Sequence, residues 1–133
     1  MISMLIGTVA GQERDGRLVV SCAGVGYSVM IGKRNAKAVE VHGKAVCVYV
    51  RQTWSETAGP ALHGWLDEAD RALFDRLCKV ENIGPSRAAK IVDVLDTASL
   101  QVFVKSDAKK LSTYVEGLGP VGAKKIIEAW GKE

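Results

Sequence analysis

Residues 81–91, Glu81-Asn82-Ile83-Gly84-Pro85-Ser86-Arg87-Ala88-Ala89-Lys90-Ile91, and residues 116–126, Glu116-Gly117-Leu118-Gly119-Pro120-Val121-Gly122-Ala123-Lys124-Lys125-Ile126, are near copies. Both follow the pattern Glu-x-aliphatic-Gly-Pro-x-x-Ala-x-Lys-Ile, continued by an apolar Val92 or Ile127. A tight glycine turn followed by a helix leaves the first N–H groups of that helix without intrahelical partners. Those donors and the helix dipole together form an anion site. Proline suits the first helical turn, where its missing N–H costs nothing. Two such sites, each with a lysine one turn further along, suit two phosphates on a nucleic-acid strand. The contacts are expected from Asn82, Ile83, Gly84, Ser86, Arg87 and Lys90 in the first copy. In the second they fall to Gly117, Leu118, Gly119, Val121, Gly122, Lys124 and Lys125. Glycine also closes helices for purely structural reasons. What favours binding over structural duplication is the recurrence of Gly, Pro, Ala and Lys at fixed offsets, with Ala88 and Ala123 where close helix packing needs a small residue. The second copy has Val121-Gly122 in place of Ser86-Arg87, so it leans on backbone amides and its lysines and should hold phosphate more weakly.

The elements that position these turns divide the chain at Leu66. Leu5 to Val9, Leu18 to Cys22, Tyr27 to Ile31 and Val46 to Arg51 are short, apolar or β-branched runs separated by turn residues, which predicts strands. Asp15-Gly16 marks a hairpin, and Gly24-Val25-Gly26 punctuates the third strand as a bulge or corner would. Leu62 to Leu66 supplies a fifth strand, paired with the fourth across a loop from Gln52 to Ala61. Five short strands in this length suggest a small barrel of the OB type. From Asp67 the period becomes helical, through Leu66, Ala69, Leu73, Leu77 and Val80, with Asp67 as N-cap. Further helices are expected at Pro85–Leu95, Ala98–Lys105, Asp107–Val115 and Pro120–Trp130, with Thr97 and Ser106 as caps. Each Gly-Pro turn then joins two helices, which is a helix-hairpin-helix in tandem. The expected fold is α+β multi-domain, a five-stranded OB barrel over residues 1–66 and an all-α tandem helix-hairpin-helix domain over 67–133.

Composition bounds the function classes. The chain of 133 residues is 47% apolar, ordinary for a globular protein, and its net charge is +3. Seven Lys/Arg against four acids precede Leu66, and eleven against eleven follow it. A non-specific charge sponge would be more basic, so binding must rest on local geometry. Cys22, Cys47 and Cys78 are widely spaced in apolar runs and, with His42 and His63, make no zinc pattern; buried thiols in a cytoplasmic protein are expected. No membrane span or signal peptide is expected. Asp67, Glu68 and Asp70 fit helix-dipole stabilisation better than metal binding, and His42 and His63 fit surface and packing roles. With no Walker-type loop, no catalytic residue, cofactor or ATP site is expected. Trp65, Phe74, Phe103, Tyr114 and Trp130 are read as core.

At this level of detail the chain resembles the RuvA family, the Holliday-junction-recognition subunits of the bacterial branch-migration complex. Ile6-Gly7 and Gly24-Val25-Gly26-Tyr27-x-Val29 are similar to the family's N-terminal signatures. Val50-Arg51 leading to Leu62-His63-Gly64-Trp65 is similar to its last barrel strands. Phe74 and Leu77 precede Asn82-Ile83-Gly84-Pro85 as in its first hairpin, and Gly117-Leu118-Gly119 matches its second. The resemblance implies a fourfold tetramer that holds a four-way DNA junction by its phosphates without reading sequence, with Arg51 joining the DNA-binding set. It also implies a non-catalytic subunit served by a separate motor. Three departures stand out. The motor-contacting third domain of the family is expected to be lacking, and a resolvase or another helicase is left as an unspecified partner. The family's short acidic pin at the junction centre corresponds here to a longer loop holding Trp54, Ser55, Glu56 and Thr57, with one acid. Trp54 either stacks on an unpaired base or packs at the barrel rim. Finally, the lysine usual after the first Gly-Pro is absent, with Arg87 one position on. The alternatives are a general duplex or single-strand DNA-binding module, and a protein-docking subunit of a DNA-processing complex.

Overall fold

Five runs of β-branched and apolar residues close into a barrel in the computed structural model, which describes residues 1–39 and 43–131. β1 (Met4–Gln12), β2 (Leu18–Cys22) and β3 (Val25–Ile31) form an antiparallel meander, followed by the short α1 (Lys33–Ala36) and a 3-10 turn at Lys37–Val39. β4 (Ala45–Ser55) and β5 (Gly59–Trp65) complete the wall in the order β1-β2-β3-β5-β4, with β4 returning to β1. Among the described residues only β3 and β5 pair in parallel. This closed five-stranded barrel is the OB architecture. Alternate side chains point inward, and Leu5, Val9, Leu18, Val20, Val29, Val48 and Val50 make its core. Gly64 lies where β5 passes closest to that core. A Cβ there would come within 2.5 Å of Val29 Cγ1 and 2.7 Å of Val48 Cγ1.

Two strand-level expectations are corrected. Gly24 belongs to a two-residue turn between β2 and β3, with Ala23 at φ 51° and Gly24 at φ 87° and Cys22 paired to Val25. Positive φ at both positions is the type I′ geometry whose twist matches the flanking strands, so Val25 and Gly26 are strand residues and not a bulge. The expected loop Gln52–Ala61 is mostly a hairpin. β4 and β5 stay paired through Thr53–Ala61, Trp54–Pro60 and Ser55–Gly59, and Ser55 Oγ accepts a hydrogen bond from Ala58 N across the tip (3.0 Å).

The chain divides into two compact units, Met1–Arg71 and Ala72–Glu133, the division falling inside α2 (Glu68–Cys78). Asp67 caps α2 by accepting from Ala69 N (3.0 Å). Asp70 pairs with Arg34 at 2.9 Å and Glu68 with Arg71 at 3.5 Å, so this acidic run is used by the fold. Ala69 is exposed, and the buried face of α2 begins at Asp70. The second unit continues with α3 (Pro85–Val94), α4 (Thr97–Val104), α5 (Ala108–Tyr114) and α6 (Gly119–Gly131). Asp96 and Asp107 cap α4 and α5, accepting from Ser99 N at 2.7 Å and Lys110 N at 2.8 Å. The expected caps Thr97 and Ser106 are displaced because a carboxylate one residue away reaches the free N–H groups and also complements the dipole.

Phe74, Leu77, Ile91, Leu100, Leu111 and Ile126 are fully buried at the centre of this unit, and the Arg76 guanidinium lies 3.9 Å from the centroid of the Trp130 ring. Trp65, Phe74 and Trp130 are core residues as read. Tyr114 is not: it is 55% exposed and rests on the half-buried Phe103, ring centroids 4.9 Å apart. The three cysteines are free thiols and half-buried, where full burial was expected. Burial, with the Asp75 charge, pushes the Cys78 thiol up to about 11, which leaves it almost without the reactive thiolate at neutral pH. His42 lies outside the described residues.

Candidate nucleic-acid interface

Each Gly-Pro turn is built on an aliphatic anchor. In the first, α2 ends through a Val80 N to Leu77 O bond and the chain turns back with Ile83 N donating to Val80 O (3.1 Å). Ile83 is buried, and Asn82 before it holds φ 69°, a left-handed conformation that asparagine tolerates. Gly84 is the N-cap of α3, extended at φ −86° and ψ 175°, and offers no capping side chain. Pro85 opens the helix, and Ala88 N reaches back to Gly84 O (3.0 Å). A Cβ on Gly84 would meet nothing within 4 Å. Its backbone angles suit any residue, so the fold itself does not demand glycine here. Gly84, Ser86, Arg87 and Lys90 are all exposed. Arg87 folds over the turn, donating from Nη1 to the Asn82 carbonyl (3.4 Å).

The second turn repeats this frame with one change. Gly117 takes the left-handed place of Asn82 at φ 81°, and Leu118 is the buried anchor. Gly119, however, has φ 76°, so here the backbone does favour glycine. Val121 and Lys124 are exposed, but Gly122 is buried. An added Cβ on Gly122 would lie 3.0 Å from Leu118 Cδ1 and 3.3 Å from Ile83 Cδ1. The two anchors therefore converge on Gly122, whose lack of a side chain lets the turns come together. Of the expected contact residues, Ile83, Leu118 and Gly122 sit beneath the turns, while the others lie at their surface.

The motif lysines reach across rather than along. Lys125 Nζ, from the second copy, pairs with Glu81 Oε2 of the first at 3.3 Å. Lys90 Nζ, from the first, lies 3.7 Å from the position of a Cβ on Gly117 in the second. This exchange was not visible in the sequence, although Glu81 and Glu116 recur at one offset and hint at it. In the barrel unit, Arg51 is half-buried on β4 opposite His63. Burial, reinforced by the Arg17 charge, pushes the His63 imidazole below its usual 6.5, so it is neutral at physiological pH. Trp54 stands 72% exposed near the end of the β4–β5 hairpin, with Ser55, Glu56 and Thr57 exposed at its tip. Among the described residues no cluster of His, Cys, Asp and Glu could hold a metal, and no helix is long and apolar enough to cross a membrane.

Residues 1–64 match the model of the RuvA N terminal domain, and residues 74–132 match that of the SAM-like helix-hairpin-helix tandem. A protein of Caulobacter vibrioides named Holliday junction branch migration complex subunit RuvA is 33% identical over 129 residues, covering 96% of this chain and 62% of that protein. The chain is similar to RuvA proteins along nearly its whole length. Similarly named proteins of Acidobacterium capsulatum and Levilactobacillus brevis are 32% and 34% identical over 127 residues, each across 96% of this chain and across 63% and 61% of their own lengths. The chain thus spans somewhat under two thirds of these curated relatives. The two matched family models fall on the barrel and on the paired Gly-Pro turns.

Proposed function

We propose that this chain is a non-catalytic subunit that binds four-way DNA junctions by their structure, not their sequence, in recombination and repair. The observation that carries the reading is the pair of turns brought together over Gly122, each opening a helix with glycine and proline and leaving backbone donors at the surface. Two anion sites brought side by side suit two phosphates of a duplex arm. Contacts of this kind position DNA but carry no base information. The first turn contributes Asn82, Ser86, Arg87 and Lys90, the second Gly117, Gly119, Val121, Lys124 and Lys125, and the barrel contributes Arg51. Ile83, Leu118 and Gly122 set the turns from beneath. On this reading the chain acts in the cytoplasm as a homotetramer, with the β4–β5 hairpin at the junction centre. The named relatives are subunits of a junction branch-migration complex, which supports the same substrate class.

The crossed ion pair makes the reading testable in sign. Glu81 competes with phosphate for Lys125. Glu81→Gln is expected to tighten junction binding about twofold to fivefold at low salt. It should also steepen the slope of log affinity against log salt by about one, because one more cation engages phosphate. A filter-binding salt titration checks both, and weaker binding would place Lys125 outside the contact surface.

A further inference from the structure

The barrel wall between β3 and β5 is paired only at Met30–His63 and Ile31–Gly64. Towards the β4–β5 hairpin the two strands part, and a hollow of about 260 Å³ opens beside the hairpin's base. Its apolar lining comes from Ile2, Pro60 and Leu62, and its polar groups from Arg17, Ser28 and Gln52. The Ser28 hydroxyl is buried and has no hydrogen-bond partner among the described residues. A hydroxyl in that state is costly unless something satisfies it. Arg17 is oriented by Asp15, whose Oδ2 lies 3.2 Å from Arg17 Nε.

Strand alternation brings Trp54 to the same place. The pairs Val50–Gly64, Gln52–Leu62 and Trp54–Pro60 are successive steps on one face of the β4–β5 ladder. The first step is barrel core, the second lines the hollow, and the third pairs Trp54 with Pro60, which borders the hollow. Gly59 presents no side chain beside that ring, since a Cβ there would already lie 3.9 Å from Trp54 Cζ3. A large aromatic that is 72% exposed therefore stands one ladder step from a mainly apolar hollow with hydrogen-bonding groups in its wall.

We propose that this hollow and Trp54 form a receiving site for a single unpaired nucleobase, with the indole stacking on its face, Ser28 and Gln52 bonding to its edge, and Arg17 meeting the adjoining phosphate. The site builds on the DNA-binding reading above but uses different residues from the Gly-Pro turns. Hydroxyl and amide each donate and accept, so the site tolerates any base, as stacking platforms generally do. One carboxylate, Glu56, stands at the hairpin tip, so an aromatic takes the larger part in holding a base out of its stack.

Tryptophan emission of the full chain reads the site directly. Trp65 and Trp130 are 3% and 6% exposed, leaving Trp54 as the one of three tryptophans open to a ligand. A thymidine oligonucleotide of about eight residues should quench the emission carried by Trp54, while an abasic strand of equal length should not. Trp54→Ala should abolish the quenching and weaken oligonucleotide binding about tenfold. Trp54→Phe should keep most of the affinity, and Ser28→Ala combined with Gln52→Leu should lower it a few-fold. Equal quenching by the abasic strand, or unchanged affinity in Trp54→Ala, overturns the site. Gly84→Asp protein should lose the four-way junction yet retain quenching by the thymidine strand, so the two sites fail separately.

Discussion

Gly84→Asp protein is expected to be more stable than the parent by about 0.5 kcal/mol and to bind a four-way junction at least tenfold more weakly. The opposite signs are the point. Gly84 sits at an N-cap with extended angles and open space around it, so an aspartate fits without strain. Its carboxylate would accept from the free N–H groups at the start of α3 and complement the dipole. The same carboxylate would occupy the place of a phosphate oxygen and repel the backbone. Thermal unfolding and filter binding on one preparation measure both effects. Gly119 is the poorer probe, because its φ of 76° adds about 1–2 kcal/mol of strain to any substitution. A Gly84→Asp protein that keeps full junction affinity would remove the phosphate-cradle argument at the first turn.

The largest stability effect is expected at Gly7→Ala, about 3 kcal/mol or more. A methyl group on Gly7 would fall on the Ser21 carbonyl oxygen, with the Ser21 carbonyl carbon at 2.9 Å and Cys22 Sγ at 3.0 Å. The obstruction is backbone in the adjacent strand, so no rotamer change relieves it, and β1 must move off β2. Gly24→Ala gives the contrast. It has φ 87° but no atom within 4 Å of the new Cβ, so only conformational strain of about 1–2 kcal/mol is expected. Urea midpoints for the two variants should rank in that order. A Gly7→Ala midpoint close to the parent's would mean that β1 and β2 are not held so closely.

The strands were legible because Val, Ile and Leu recur at spacings that a barrel interior needs. Their ends were not. Thr53, Trp54 and Ser55 fall within the expected loop, yet they continue β4. Their strand state depends on pairing with β5, and cross-strand pairing is a tertiary property that local preference does not carry. The same limit explains the caps. Asp96-Thr97 and Ser106-Asp107 each offer two capping residues in a row, and what decides between them is which side chain lands 2.7–2.8 Å from a free N–H. The duplicated turn was plain in the sequence, down to the offsets of Gly, Pro, Ala and Lys. How the copies meet was not. Gly122 looked like a weakened contact residue, yet its missing side chain makes room for Ile83 and Leu118. Lys125 is expected at a phosphate, yet it holds Glu81. Both facts require the two turns to be placed side by side. Trp54 was visible as an anomaly, an aromatic where the resemblance implies acids. Its relation to the hollow beside Ser28 and Gln52 emerges only from the ladder register.

The proposed function rests on two phosphate-binding turns giving selectivity for branched DNA. Its most direct test is a gel-shift competition in which a labelled four-way junction bound to the full chain is challenged with excess linear duplex of matched sequence at moderate salt. The junction complex should persist against the duplex and yield only to unlabelled junction. Equal displacement by the duplex would contradict structure selectivity and leave the paired turns as a source of affinity alone.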